Sequence, residues 1–317
     1  MKVIVTGATG LIGTRLVERL HQRGDQVTVL ARNPQSAMVL FPSARFPNVT
    51  IVGYDPINEN LSDATAPLPL WYEALNGCDG VINLAGAPIA GERWTTRTRQ
   101  RILDSRIVTT KALVNALSKL AVKPKVMISG SAIGYYGTDP DKIFEEYNFN
   151  GQDFPAQVCR EWEAAAAPVK DLGIRLVALR TGIVMGTTGG ALAKILPIFQ
   201  LGAGGILGTG RQWFSWIHRD DLVNLILTCL TDDRYAGPVN GTAPEPVTNR
   251  EFTETLAQVL GKLAILPTPA VVLNLVFGES ANLLLEGQRV IPRKAIANGF
   301  EFQYPDLKSA LTQVIRG

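Results

Sequence analysis

Three glycines at intervals of three residues constrain the fold of this chain more than any other feature of its sequence. Gly7, Gly10 and Gly13 follow a short apolar run at residues 3–6 and open a stretch with apolar residues at helical spacing, 11–23. In such a strand–turn–helix unit, the glycines permit a tight turn, close approach of a diphosphate to the backbone, and close packing of helix on strand. The unpaired N–H groups of the helix N-terminus attract phosphates. The segment therefore predicts a dinucleotide site formed by Gly7, Thr9, Gly10, Leu11, Ile12 and Gly13.

Short apolar runs alternate with helical patterns through the first half of the chain. We predict strands at 3–6, 26–30, 49–52, 80–84, 125–129 and 175–180, and helices at 11–23, 70–75, 96–120 and 156–172. Strands that are apolar on both sides are typical of parallel sheets covered by helices on both faces. Strand–helix alternation indicates a doubly wound parallel sheet. The predicted fold class is therefore α/β, with ligands bound at the carboxyl ends of the strands.

The alternation loosens after about residue 182. Glycine-rich turns at 186–190 and 202–210 bracket a predicted helix at 191–200; another helix follows Asp220, a short strand is predicted at 239–241, and helices begin at Asn249 and Ala270. A chain of 317 residues suits one large domain or two smaller ones. We interpret residues 1–182 as the nucleotide-binding domain, to which about 219–242 returns. Residues 183–317 are predicted to form a smaller α/β region on the substrate side.

The residues after the second predicted strand indicate which dinucleotide binds. NAD sites have Asp or Glu here, and its carboxylate accepts a hydrogen bond from the ribose 2′-hydroxyl. This chain has Ala31 and Arg32 instead. A carboxylate would repel the 2′-phosphate of NADP, whereas Arg32 can pair with it through charge-assisted hydrogen bonds. We therefore predict NADP(H) in preference to NAD(H); the alternative for Arg32 is a solvated arginine at a strand end.

Composition and charge argue against several other classes of protein. Apolar residues make up 46% of the chain and charged residues 19%, which excludes disorder as the main state. A net charge of +3 is too small to indicate nucleic-acid binding without a concentrated patch. Two histidines and three cysteines, with no C-x-x-C, indicate neither a metal site nor a disulfide framework. No run supplies the ~20 apolar residues of a membrane span, so we expect a cytoplasmic protein, or a protein of the plastid stroma if a transit peptide has been removed.

Several motifs resemble a known family. The glycine loop, together with residues 83–86, resembles the extended short-chain dehydrogenase/reductase superfamily. Residues 83–89, 134–137, 210–218, 243–247 and 286–290 resemble one branch of it, the NAD(P)-dependent epimerase-like family labelled SulA-like cell division inhibitor, which includes plastid-division relatives. The resemblance covers essentially the whole chain. It implies a Rossmann fold, an unassigned small-molecule substrate, and NADP(H) held also by Asn83, Leu84, Ala85 and Gly86.

The resemblance also implies where catalytic residues lie, and there the chain departs from the family pattern. In typical members a serine orients the substrate and a tyrosine, four residues before a lysine, is the acid/base. Ser131 matches the serine. When Glu163 is set on the usual downstream glutamate, Pro155 and Cys159 occupy the tyrosine and lysine positions. The usual proton-transfer pair is therefore missing.

Two other residues are candidates for the missing chemistry. Tyr136 follows Ser131 on the same predicted loop and is the candidate acid; an aromatic residue lining the pocket is the alternative. Cys159 is a candidate nucleophile, but a cysteine with no evident histidine partner more often serves packing. The Tyr-x-x-x-Lys that the chain does contain, at residues 304–308, lies near the C-terminus, and we regard it as chance.

Substrate contacts are predicted from an arginine-rich helix and from the second half of the chain. Arginines are dense at residues 93–106, where an inward-facing arginine would meet an anionic substrate or the cofactor phosphates; a solvated helix face is the alternative. The aromatic segment 212–218 borders the substrate pocket in the resembling family. For His218, the alternative to a substrate contact is a histidine that supports the helix after it. For residues 288–289, the alternative is a buried polar turn. The candidates are Arg106, Trp213, His218, Gln288 and Arg289.

Two hypotheses about function follow. The first is an NADP-dependent oxidoreductase or epimerase acting on a small polar substrate, with Ser131 orienting the substrate and Tyr136 or a water handling the proton. The second is a non-catalytic, NADPH-loaded regulator that binds a protein of the cell- or plastid-division machinery. The complete nucleotide loop favours the first hypothesis, whereas the missing Tyr/Lys pair favours the second.

Overall fold

The computed structural model describes residues 1–58, 69–264 and 266–317. The strands are β1 (Lys2–Thr6), β2 (Gln26–Ala31), β3 (Val49–Gly53), β4 (Gly80–Asn83), β5 (Val126–Ala132), β6 (Asp139–Phe144), β7 (Arg175–Thr181), β8 (Ile183–Met185), β9 (Trp213–Phe214), β10 (Trp216–His218), β11 (Gly237–Gly241), β12 (Val247–Thr248) and β13 (Gln288–Val290). The helices are α1 (Leu11–Gln22), α2 (Pro34–Leu40), α3 (Leu70–Ala74), α4 (Thr96–Lys119), α5 (Phe154–Ala166), α6 (Gly190–Gln200), α7 (Arg219–Thr231), α8 (Asn249–Leu260), α9 (Ala270–Phe277), α10 (Asn282–Leu285), α11 (Arg293–Ala297) and α12 (Leu307–Arg316).

A seven-stranded sheet in the order β11-β7-β5-β4-β1-β2-β3 lies at the centre of the molecule. Each neighbouring pair of its strands is parallel. From β1 the chain runs outward through β2 to β3 and then returns to β4 on the other side of β1. Such a reversal creates a crevice at the carboxyl ends of the strands, where doubly wound sheets bind ligands. The predicted α/β Rossmann fold is confirmed.

Alternation along the strands buries apolar side chains on both faces of this sheet. In β1, Val3 and Val5 join the cluster that contains α1 and α7, whereas Ile4 joins the cluster that contains α3 and α4. Successive side chains of a strand point to opposite faces, so a strand that is apolar at every position requires helices on both sides. The sheet is therefore the middle layer of three.

The last part of the chain adds a third apolar cluster and three short strand pairs. The cluster lies between α6, α8 and α12, and the pairs are β8 with β10, β9 with β12, and β6 with β13. From within this part of the chain, β11 joins the edge of the main sheet beside β7, and α7 packs on α1. Among the described residues, no helix combines the length and the hydropathy that crossing a membrane requires.

Where the structure differs from the predicted elements, a local physical cause is visible. The helix predicted at 156–172 is divided into α5 and a 3-10 turn, Ala167–Leu172, because Pro168 enters the first positions of that turn and donates no N–H. Helix α2 was not predicted; it begins with Asn33 as a cap and Pro34 at its first position. Strand β6 is polar and mostly exposed, so its sequence lacks the apolar run by which a buried strand is recognised.

Asp221 links α7 to the C-terminal segment. Its side chain is fully buried, and its carboxylate oxygens accept hydrogen bonds from the backbone N–H groups of Gln303 (2.8 Å) and Tyr304 (3.0 Å). Asp221→Ala removes the acceptor of two partly buried N–H donors. We expect the free energy of unfolding, measured by urea denaturation, to fall by about 2–4 kcal/mol. The control Asp171→Ala, at an exposed aspartate, should change it by about 0.5 kcal/mol or less; equal effects of the two substitutions would contradict the assignment.

Candidate functional site

A crevice of about 570 Å³ opens at the carboxyl ends of β1, β2, β3 and β4. Its volume lies in the range of small-molecule and cofactor sites, roughly 300–1,000 Å³. A second crevice of about 920 Å³ adjoins it along the N-terminal half of α4 and shares Arg32, Gly86 and Ser105 with it. The predicted cofactor residues that line the first crevice are Gly7, Thr9, Gly10, Ala31, Arg32, Leu84, Ala85 and Gly86.

The glycine loop has the geometry that the spacing of its glycines predicts. Gly7 has a φ of +68°, and a Cβ there would lie 2.6 Å from the carbonyl of Leu84. A Cβ on Gly13 would lie 2.3 Å from the carbonyl oxygen of Gly7. Any side chain at either position would push α1 or the loop after β4 away from the turn. Around Gly10, by contrast, a Cβ would meet only the Gly7 oxygen, at 3.4 Å, so the space above the helix end is open.

The N-terminus of α1 presents donors without a side-chain acceptor. Gly10 is the N-cap, no side chain caps the helix there, and the first turn contains no acidic residue. The first N–H groups of a helix have no partner within it and carry a partial positive charge. An anion in the crevice can therefore bind here, and the chemistry of these donors fits the diphosphate of a dinucleotide.

Four of the predicted cofactor residues do not line this crevice. Asn83 is fully buried and bridges two threonines: its Oδ1 accepts from Thr6 Oγ1 (2.7 Å) and its Nδ2 donates to Thr110 Oγ1 (2.8 Å). The Leu11 side chain packs against Gly186, where a Cβ would lie 2.7 Å from Leu11 Cδ1, and Ile12 packs on the core. The side chains of Asn83 and Ile12 thus support the fold. Leu11, Ile12 and Gly13 form the first turn of α1, so their backbone N–H groups remain predicted contacts of the cofactor phosphates.

The crevice wall also contains residues that were not predicted from the sequence. Tyr54, Asp55 and Ile57 follow β3, and Ser105 and Thr109 come from α4. The hydroxyl of Tyr54 donates to the carbonyl of Thr109 at 2.6 Å and so ties the end of β3 to α4. The sequence contained a signal for the residues after β3, because polar residues directly after a parallel strand lie at the ligand-binding edge of the sheet.

Arg32 follows the end of β2 and lines both crevices. Its side chain is exposed, and no ion pair involving Arg32 is present among the described residues. Asn33, the next residue, uses its side chain to cap α2 by accepting from the N–H of Ser36. The guanidinium is therefore available to an anionic group in the crevice.

Ser131, at the end of β5, is held by a buried ion pair that the sequence did not reveal. Its hydroxyl donates to Glu163 Oε1 at 2.7 Å. Arg180 binds the same carboxylate through two hydrogen bonds, Nε to Oε1 at 2.8 Å and Nη2 to Oε2 at 2.9 Å. Because the serine hydrogen points to Glu163, the serine oxygen can only accept a hydrogen bond from a further partner.

Tyr136 does not have the freedom of a catalytic acid, and that prediction is corrected. Its hydroxyl donates to Asn240 Oδ1 at 2.6 Å and accepts from Arg180 Nη1 at 3.1 Å. The side chain is only 3% exposed, and burial raises the pKa of Tyr136 to about 12. Tyr136 therefore belongs to the structure that holds Arg180. The ring of Tyr135 lies 3.4 Å from the Arg180 guanidinium carbon.

Helix α5 offers no reactive group in place of the missing pair. Pro155 stands in its first turn, which Asp153 caps. The Cys159 thiol is buried and donates to the carbonyl of Ala132 at 3.5 Å. Burial raises the pKa of Cys159 to about 11, so it remains a thiol at neutral pH, and the nucleophile alternative is not supported.

Trp213, Gln288 and Arg289 lie together on the second half of the chain. The Arg289 guanidinium carbon lies 4.5 Å from the Trp213 ring centre, and its Nε is buried without a hydrogen-bond partner among the described atoms. The Gln288 carbonyl accepts from Ser215 Oγ at 2.7 Å. The structure thus places a cation–π pair and a backbone anchor at these predicted substrate-side positions.

His218 supports a helix, and its prediction as a substrate contact is corrected. Its Nδ1 accepts from the N–H of Asp220 at 3.1 Å, so it caps α7. Its Nε2 therefore carries the hydrogen and donates to Gln313 Oε1 at 2.8 Å. Both ring nitrogens are used within the fold, and the ring is only 2% exposed.

The comparisons with known proteins agree with this geometry. The sequence matches the NAD dependent epimerase/dehydratase family over residues 3–240 and a domain of unknown function, DUF1731, over residues 268–314. The chain belongs to the NAD dependent epimerase/dehydratase family. The predicted membership of the extended short-chain dehydrogenase/reductases is thereby confirmed.

Relatives of this family member are found in plants, bacteria and animals. The epimerase family protein SDR39U1 homolog, chloroplastic, of Arabidopsis thaliana is 43% identical and aligns with 100% of this chain and 87% of its own. The epimerase family protein YfhF of Bacillus subtilis is 38% identical over 99% of this chain and 98% of its own. Neither name refers to cell division, so the predicted label of a SulA-like division inhibitor is not supported.

Solved structures give the same result. The crystal structure of the human epimerase family protein SDR39U1 (isoform 2) with NADPH has a TM-score of 0.85 and 34% identity, and 100% of both chains align. The UDP-glucuronic acid 4-epimerase of Bacillus cereus, solved with UDP-glucuronic acid and NAD, has a TM-score of 0.76 over 100% of this chain and 99% of its own. Because its identity is 18%, it shows the fold alone.

Within the described part of the chain, no cluster of metal-ligating side chains is present.

The environment of His218 predicts a pH dependence of stability. Burial lowers the pKa of His218 in the folded protein. As the pH falls through about 6.5, the unfolded chain binds a proton that the folded chain does not, so stability is lost. We expect His218→Asn, which keeps a side-chain cap but cannot titrate, to reduce the loss of unfolding free energy between neutral and mildly acidic pH.

Urea denaturation at a series of pH values measures this loss. The control is His21→Asn, which removes the other histidine and retains His218, so the wild-type pH dependence should persist. The same slope in wild type and His218→Asn would contradict the assignment of this pH dependence to His218.

Proposed function

We propose that this protein binds NADP(H) and acts as an oxidoreductase or epimerase on a small polar substrate. The observation that carries the proposal is the glycine cradle: two positions where any Cβ would collide, beside an uncapped helix end that faces a crevice. The human relative SDR39U1, which shares the fold over its whole length, was solved with NADPH. The Rossmann part, residues 1–182, would hold the cofactor, and residues 183–317 would contribute substrate contacts such as Arg289.

Residues around the crevice fit the parts of NADP(H). The uncapped N-terminus of α1 would hold the diphosphate, with Gly10 allowing close approach. Arg32 would bind the 2′-phosphate, since neither it nor its neighbour Ala31 is the carboxylate that an NAD site needs. Leu84, Ala85 and Gly86 would form the opposite wall. When bound, the nicotinamide supplies hydride transfer.

Ser131 would orient the substrate. Its oxygen, with the hydrogen directed at Glu163, accepts a hydrogen bond, so its natural partner is a substrate hydroxyl group. Glu163 is a positioning residue, because Arg180 holds both of its oxygens. This arrangement supports an alcohol as the reacting function, with the carbonyl compound as its oxidised product. It does not use Tyr136, whose hydroxyl is taken up by Asn240 and Arg180.

Substitution of Arg32 tests the choice of cofactor. Arg32→Ala removes the charge-assisted hydrogen bonds to the 2′-phosphate, and we expect NADPH to bind at least about tenfold more weakly, or about 1.4 kcal/mol. NADH, which lacks the phosphate, should bind wild type and variant equally, and it serves as the internal control. Calorimetric titration of both nucleotides measures the two constants. Parallel losses for NADPH and NADH, or a loss for neither, would contradict the role of Arg32.

Substitution of Ser131 tests the proposed chemistry. A screen of small hydroxyl and carbonyl compounds, followed by the change in NADPH absorbance, identifies a substrate. With that substrate, Ser131→Ala should lower kcat/KM by about a hundredfold or more, while the Kd for NADPH remains that of wild type. Ser118→Ala is the matched control, because Ser118 is an exposed serine on α4. Full activity of Ser131→Ala, or loss of NADPH binding, would contradict the assignment.

A further inference from the structure

Arg106 is the arginine of α4 that turns inward. Its guanidinium carbon lies 5.0 Å from the centre of the Trp162 ring, and its Nη1 donates to the carbonyl of Ile102 at 3.0 Å. The other edge of the group faces Gly86, where a Cβ would lie 3.2 Å from Nη2 and 3.3 Å from Nε. Gly86 lines both crevices. The edge that carries these two donors therefore lies against a glycine that both crevices share.

The charge of Arg106 has no counter-ion in the described part of the chain. No carboxylate there forms an ion pair with it, whereas Arg15 pairs with Asp220 and Arg180 pairs with Glu163. Arg106 is partly buried, and this burial lowers its pKa. A buried charge without a partner is costly, and proteins normally pair such groups. A ligand anion would supply the missing partner.

The position of Arg106 relative to Ser131 indicates which ligand this is. The Trp162 ring connects the two residues. It packs against the Arg106 guanidinium and also against Gly130, the residue before Ser131, where a Cβ would lie 2.6 Å from the ring. Arg106 on α4 and the segment of β5 that carries Ser131 thus contact the same side chain. Cys159 occupies the place where typical family members have a lysine, so α4 supplies a positive charge that α5 lacks. The cofactor phosphates have other partners, at the N-terminus of α1 and at Arg32.

We propose that Arg106 binds an oxyanion group of the substrate, a carboxylate or a phosphate, beside the hydroxyl that Ser131 orients. The site then accepts hydroxy or carbonyl compounds that carry a negative charge. This inference rests on the proposed function, since it assigns the substrate class of the same crevice. It makes Arg106 a specificity-determining residue that interacts through charge and through two free N–H donors.

Binding of simple anions to the cofactor complex tests the inference. Wild-type protein saturated with NADP⁺ is titrated calorimetrically with oxalate, with inorganic phosphate, and with uncharged glycerol. We expect oxalate or phosphate to bind and glycerol to bind much more weakly. Tighter binding of oxalate would indicate a carboxylate site, and tighter binding of phosphate would indicate a phosphate site. Arg106→Gln should weaken anion binding on the order of thirtyfold, whereas Arg106→Lys, which keeps the charge but loses the planar pair of donors, should recover only part of the affinity. Arg160→Gln, at an exposed arginine of α5, should behave as wild type.

The stability of the variants and their affinity for NADPH separate the other outcomes. If Arg106 serves a ligand, Arg106→Gln should not lower the Tm of the cofactor-free protein, because it removes an unpaired buried charge. A Tm lowered by more than about 4 °C would mark a structural role and overturn the inference. Absence of anion binding to wild type, or equal affinity in Arg106→Gln, would also overturn it. Weaker binding of NADPH by Arg106→Gln, with unchanged anion affinity, would assign Arg106 to the cofactor and overturn the inference. Failure of the wild-type protein to bind NADPH would instead refute the proposed function.

Discussion

The ion pair between Arg180 and Glu163 is the interaction on which the rest of the site depends. It joins β7 to α5 through two hydrogen bonds, with the arginine almost fully buried. Although burial acts against it, hydrogen bonding to Glu163 raises the pKa of Arg180. Removing one partner of such a pair leaves an uncompensated buried charge, which costs about 3–5 kcal/mol. Ser131 takes its orientation from this pair, so the geometry of the proposed chemistry follows from a feature of the scaffold.

The same pair explains how the fold tolerates the loss of the usual tyrosine and lysine. Arg180 also donates to the hydroxyl of Tyr136 and to the carbonyl of Glu146, so one side chain connects three segments above the sheet. Arg106, on the neighbouring helix, donates to the carbonyl of Ile102 but pairs with no carboxylate among the described residues. The Arg180 charge is thus balanced within the protein, whereas the proposed partner of Arg106 is an anionic group of the substrate.

Much of the fold was predictable because its signals are local. The glycine loop, the apolar strands and the long α4 depend on neighbouring residues. Their predicted limits agree with the structure to within about two residues, except that β5 continues three residues further, to Ala132. Residues that depend on distant partners were not predictable. Glu163 and Arg180 look like ordinary surface charges in the sequence, and nothing there shows that both point at Ser131. Strand β6 pairs with β13, far along the chain, and has no buried face of its own.

In the candidate site, too, residues with local signals were predictable and residues that depend on distant partners were not. Gly7, Gly10 and Arg32 could be assigned from spacing, because the turn geometry and the end of β2 fix where they lie. For His218, the structure agrees with the helix-supporting alternative that the sequence offered. For Tyr136, residue type alone could not show that the hydroxyl already has partners. Arg106 could be named from the sequence only as one of several arginines. Its burial against Trp162 and Gly86 is what distinguishes it from the solvated ones.

A crystal structure of the wild-type protein with NADPH tests the central claim most directly. The account predicts a diphosphate at the N-terminus of α1, the 2′-phosphate beside Arg32, and the nicotinamide next to the hydroxyl of Ser131. It also predicts that the free edge of Arg106 remains clear of the cofactor. A nicotinamide directed away from Ser131, or a cofactor phosphate bound to Arg106, would contradict the account.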